Sequence, residues 1–168
     1  MDIKLIGKKA QAYDKYSGCS QSVLLTLQEA FEIGDQESFK AATVLSGGVA
    51  RRGETCGALL GGLMALGLVA GRKDIAKTQA YRDAMKPAND IIEEFKQRLQ
   101  MEFGFEKSLN STLCRDIQEK VYGKSFNLRD EKGHQAFLDA GGHNEDGCPK
   151  VCAVAAMVTA EKLRDLST

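Results

Sequence analysis

Five cysteines, Cys19, Cys56, Cys114, Cys148 and Cys152, are the side chains of this chain best suited to chemistry. A thiolate binds metals and attacks sulfur; a protonated thiol does neither well. Intervals of 36, 57 and 33 residues separate the first four. Zinc fingers and ferredoxin-type clusters use closely spaced cysteines, so the tertiary fold must assemble any shared site here. Only Cys148-Pro-Lys-Val-Cys152 is local. Positions i and i+4 lie on one helical face, where two thiols could share a ligand or form a strained, labile disulfide. Cys152 also suits a small buried residue on the apolar face of its helix.

Other reactive groups are few. His134 and His143 are the only histidines. His143 lies five residues before Cys148 and reads as a solvated loop histidine within reach of the cysteines. Arg51 and Arg52 read as a solvated pair in the loop before Cys56, able to attract an anionic substrate or an acidic partner patch. Glu54 would interact favourably with the helix N-terminus that follows it. The charged run 93–98 is a solvated helix face with i,i+4 pairs. The sequence contains no P-loop, GxGxxG, GxSxG or HExxH pattern.

The elements that must position these groups read as helical almost throughout. Apolar residues recur at three- and four-residue steps over 3–13 and 19–33. Asp35 caps a further helix carrying Phe39, Ala42 and Leu45. Residues 47–55 form a glycine-rich loop. Residues 55–71 carry no charge, but with five glycines they fall short of the about 20 residues that span a bilayer. They read as a buried central helix. A long polar helix is expected from Asp74 to about Phe103, with a kink or break at Pro87 and a stripe of Tyr81, Ala84, Ala88, Ile91, Ile92, Phe95 and Leu99. Shorter helices follow over 111–122 and 131–140, and Cys148-Pro149 opens the last, to about Leu166. The fold class is all-α, a single-domain helical bundle of about seven helices around the glycine-rich apolar helix, with residues 1–168 as one domain.

On this reading Cys19, Cys56 and Cys148 sit at helix N-termini and Cys114 in a first turn. Unsatisfied N–H groups and a partial positive charge there favour thiolate, lower the cysteine pKa and raise reactivity. The same donors stabilise a thiolate-bound cluster. Gly57 with Gly61, and Gly67 with Gly71, are small-residue pairs that let backbones approach. Gly61, Gly62 and Gly67 are assigned to tight packing and Gly57, beside Cys56, to the site.

Composition sets the outer bounds. The 168 residues hold 23 Lys plus Arg and 23 Asp plus Glu, with 43% hydrophobic and 27% charged residues. That is a globular profile, and zero net charge argues against non-specific nucleic-acid binding. The N-terminus lacks a charged segment followed by an apolar one, so a cytoplasmic chain with reduced thiols is expected. Cysteines there are metal-binding, catalytic or buried more often than disulfide-bonded.

Gly18-Cys19-Ser20-Gln21-Ser22-Val23-Leu24, Gly47-Gly48, Gly53-Glu54-Thr55-Cys56-Gly57-Ala58-Leu59-Leu60-Gly61, Cys114 and Cys148-Pro149-Lys150, in that order, resemble the redox-active proteins named for their C, GCAxxG, C, C pattern. The resemblance spans about residues 13–161. It implies a small soluble helical protein of prokaryotes, redox-active through Cys19, Cys56, Cys114 and Cys148. A related cysteine-bearing region in split-Soret cytochromes implies electron transfer and dimerisation. The chain lacks CxxCH, so no covalent c-type haem is expected. Cys152 lies outside the family set.

The first expectation is an electron-transfer protein with a composite site, in which Cys19, Cys56, Cys114 and Cys148, beside Gly57, bind an iron–sulfur cluster. The alternative is a thiol–disulfide redox protein using the same cysteines. A structural zinc site and a binding domain with merely packed cysteines complete the set. A homodimer is compatible with the apolar helix. The sequence does not identify the redox partner, the potential, any substrate, or whether the chain is an oxidoreductase or an electron carrier.

Overall fold

The structure, a computed structural model, describes residues 2–167. Eight α-helices, rather than about seven, make up the bundle: α1 (Ile3–Tyr13), α2 (Cys19–Phe31), α3 (Gln36–Ala41), α4 (Gly57–Ala70), α5 (Thr78–Phe103), α6 (Cys114–Tyr122), α7 (Glu131–Asp139) and α8 (Cys148–Leu166). Short 3-10 turns cover Asp14–Tyr16 and Ala42–Leu45. No strand forms among the described residues; extended pairing is confined to one antiparallel bridge, Thr55 with Leu113. The all-α fold follows from the apolar periodicity that the sequence carries in each of these segments.

The most enclosed helix is α8 rather than the glycine-rich α4. Eleven residues of α8 are buried, against seven of α4. The run Val151-Cys152-Ala153-Val154-Ala155-Ala156 is small on every side, so α1, α2, α4 and α5 all pack against it. A helix apolar all round is a buried one. Helix α4 is the more apolar of the two, but its last turn reaches the surface, where Leu68 and Val69 are exposed.

Helix α5 starts at Thr78, because Asp74 instead closes a turn: its Oδ1 accepts from Ala76 N at 2.9 Å and its carbonyl from Lys77 N at 3.0 Å. The helix runs unbroken through Pro87. Its buried stripe is shorter than the periodicity suggests. Ile91, Phe95 and Leu99 are buried, while Tyr81 lies at the surface beneath the Arg72 guanidinium, 5.0 Å from the ring centroid.

The glycines of α4 divide by what they face. A Cβ on Gly61 would collide with the Ser20 carbonyl of α2, and one on Gly62 with Thr159 Oγ1 of α8. These two set the close approach of α4 to its neighbours. Gly67 meets nothing, so it is not a packing residue. Gly67→Ala should therefore stabilise the protein by about 0.5–1 kcal/mol through helix propensity. Gly61→Ala should destabilise it by about 1–3 kcal/mol through overpacking. Urea unfolding of both variants checks this pair; equal effects would contradict the packing described.

Candidate functional site

Four helices begin at cysteines. Cys19, Cys114 and Cys148 are the first residues of α2, α6 and α8, and Cys56 is the N-cap of α4. None of these four helices is capped by the side chain of its own N-cap residue, and at α8 the Tyr122 hydroxyl accepts from the first amide instead. The contrast with three others is direct. Asp2 caps α1, Asp35 caps α3 through a capping box, and Asp130 caps α7. Cys56 stands where an aspartate would cap its helix, while α2, α6 and α8 have Gly18, Leu113 and Gly147 as N-caps, each followed directly by its cysteine.

All five thiols line one cavity of about 100 Å³. The rest of its wall is mainly apolar, with Ala58, Ile117, Val121, Leu128, Phe137 and Val151, and it includes Asp14, Tyr122 and His143. The cysteines are free. Cys56, Cys114 and Cys152 are buried, and Cys19 and Cys148 are partly so.

The loop before Cys56 has an unusual backbone. Gly47, Gly48, Val49, Ala50 and Arg51 all have positive φ, from 50° to 69°, a left-handed turn of five consecutive residues. For a non-glycine residue this costs about 1–2 kcal/mol. Hydrogen bonds from Gly53 N to the Gly47 carbonyl (3.1 Å) and from Glu54 N to the Gly48 carbonyl (2.9 Å) hold it. A Cβ on Gly48 would lie 2.6 Å from Cys114 Cβ and 2.5 Å from the Glu54 carbonyl, so only glycine fits.

That loop is tied to the start of α6. Cys56 N donates to the Thr112 carbonyl at 2.8 Å, and Cys114 N donates to the Glu54 carbonyl at 2.6 Å. The bridge fixes Cys56 and Cys114 as neighbours although 57 residues separate them. Glu54 does not serve the helix end; its carboxylate pairs with Arg115 at 3.2 Å. Gly57 faces Cys19: a Cβ there would lie 2.6 Å from the Cys19 Sγ.

Further side chains support the sulfurs. Gln118, buried at the foot of α6, donates to Cys114 Sγ at 3.7 Å and accepts from Phe126 N at 3.0 Å. Cys148 N donates to the Tyr122 hydroxyl at 2.8 Å, and that hydroxyl donates to the Gly142 carbonyl at 3.1 Å. His143 is not a solvated loop residue: its ring packs edge-on to Phe137 and pairs with Asp14 at 3.0 Å. Asp14, Gln118 and Tyr122 carry no motif, so their place was not readable from the sequence.

Enclosure reverses the expected pKa shift. Burial pushes the Cys19 thiol up to about 12 and also raises Cys56, Cys114, Cys148 and Cys152. Amides do pull the other way, from Ser20 and Gly47 at Cys19 and from Leu59 and Ala58 at Cys56. They are outweighed, because thiolates close together in an apolar space lack water and repel one another. Without a cation the sulfurs are thiols.

Cys19, Cys56, Cys114 and Cys148, at helix starts in an apolar enclosure, are the residues that could hold a metal–sulfur group as thiolates. Among the described residues, no three donors converge closely enough to hold a single metal ion. No helix among the described residues is long and apolar enough to cross a membrane.

The family model described as "Putative redox-active protein (C_GCAxxG_C_C)" matches residues 17–162. No curated protein and no solved structure matched the chain.

In the metal-free, reduced protein at neutral pH, Cys19 should alkylate at least about 100-fold more slowly than free cysteine, because its thiolate fraction is so small. The rate should rise about tenfold per pH unit and jump on denaturation. Stopped-flow alkylation with peptide mapping measures this. Equal native and denatured rates would contradict the enclosure.

Proposed function

We propose, from the premise that the chain belongs to the redox-active C_GCAxxG_C_C family, that it is an electron-transfer protein in which Cys19, Cys56, Cys114 and Cys148 hold an iron–sulfur cluster. The observation that carries this reading is that four cysteine-bearing helix N-termini open on one cavity. Such a cluster supplies a one-electron couple.

The residues of the chain do the rest. Helix-end amides stabilise negative sulfur without mobile counter-ions. Gly57 leaves room for the Cys19 sulfur and Gly48 for the Cys114 Cβ, where any side chain would intrude. Gln118 and Tyr122 fix the segments that carry Cys114 and Cys148. The apolar wall excludes water, which shifts potentials and protects the sulfurs.

Thiol–disulfide exchange with the same cysteines is the second reading. The raised Cys19 pKa weighs against it, since the thiolate is the attacking species. Cys152 is not a ligand in the favoured reading; its thiol faces Asp14.

Serine at position 19, 56, 114 or 148, one at a time, should reduce bound iron and sulfide to below about a tenth of wild type or yield a labile, altered centre. Cys152→Ser should keep both. Iron and acid-labile sulfide assays on anaerobically purified variants read this out. Full retention in all four single variants would refute the ligand set, and disulfides formed reversibly on oxidation of iron-free protein would favour the second reading.

A further inference from the structure

Asp14 is the one carboxylate buried among the described residues, at 1% exposure. It sits in the turn between α1 and α2 and lines the cysteine cavity. One oxygen, Oδ1, accepts from the Cys152 thiol at 3.5 Å. The other, Oδ2, lies 3.0 Å from His143 Nδ1. The second ring nitrogen, Nε2, lies 3.3 Å from Ser17 Oγ. The His143 side chain is 24% exposed. A continuous line of hydrogen-bonding atoms therefore runs from Cys152, through the carboxylate, to an imidazole that reaches water.

Acids predominate around Asp14. Cys19 of α2, Cys56 of α4, Tyr122 of α6, and Cys148 and Cys152 of α8 all feel its charge, which adds to the upward push that burial gives their pKa values. The base paired with Asp14 is His143, and Arg51 and His134 line the same cavity. An electron added to this enclosed space repels the buried carboxylate, and a proton on the Asp14–His143 pair cancels that repulsion.

We propose that Asp14 and His143 form a proton-accepting pair that couples electron uptake at the four-cysteine site to the uptake of one proton from solvent. The inference rests on the redox reading above. One electron arrives from an external one-electron donor protein. One proton passes from water to His143 and is held within the Asp14–His143 hydrogen bond. On oxidation both leave, so the net charge of the cavity is the same in the two states. Cys152 is a positioning residue, because its S–H holds the carboxylate towards the sulfurs.

The test is the midpoint potential as a function of pH, from about pH 5 to 9, for wild type, His143→Gln and Asp14→Asn. For a one-electron wave the wild-type potential should fall by about 59 mV per pH unit over part of this range, and both variants should be flat. If the protein proves iron-free, the cluster reading fails and this proposal falls with it; a cluster-bearing protein with equal slopes in wild type and His143→Gln would overturn the proposal alone. His143 is partly exposed, so that variant keeps the test decisive should Asp14→Asn fail to fold.

Discussion

Negative sulfur in an apolar enclosure needs fixed donors, and helix ends are the donors this fold supplies. Burial alone pushes the cavity thiols towards their neutral form. Only a converging positive field or a bound cation makes thiolates stable there. Helices α2, α4, α6 and α8 start at cysteine without a cap from their own N-cap side chains, whereas α1, α3 and α7 start at capping aspartates. The bundle must then bring four separate helix starts to one place. The small residues of α8 and the contacts of Gly61 and Gly62 allow that, since backbones approach closely where side chains are absent.

Pinning the starts costs backbone energy. Three non-glycine residues, Val49, Ala50 and Arg51, hold left-handed dihedrals in the loop that delivers Cys56. Such strain persists only where surrounding bonds over-determine it. Here the Thr55–Leu113 bridge and the amide bonds from Gly53 and Glu54 do so. One strained loop thereby fixes two cysteines from distant parts of the chain. Gly48, wedged against Cys114, explains why the loop opens on a glycine pair.

Much of this was legible in the sequence, for identifiable reasons. Helix starts carry local signals, so Cys19, Cys56, Cys114 and Cys148 could be placed at or near them. The core of α8 and the Ile91, Phe95 and Leu99 stripe of α5 follow from apolar periodicity. What was not legible depends on distant contacts. Nothing near Asp14 announces that it is buried, because its partners lie more than 120 residues away at His143 and Cys152. The sign of the cysteine pKa shifts was misread for the same reason: the dipole is local, whereas the desolvation that outweighs it comes from four packed helices. Tyr81 fits the helical period but lies beyond the last neighbour of α5, at the surface.

The central claim is that the cavity holds a thiolate-bound iron–sulfur centre. Its most direct measurement is the ultraviolet–visible spectrum of wild-type protein purified without oxygen, with iron and sulfide counted on the same sample. The account predicts a brown protein with a broad band near about 400 nm, bleached by a one-electron reductant, and iron and sulfide in equal, stoichiometric amounts per chain. A colourless preparation without iron and sulfide, with five titratable thiols, would contradict it.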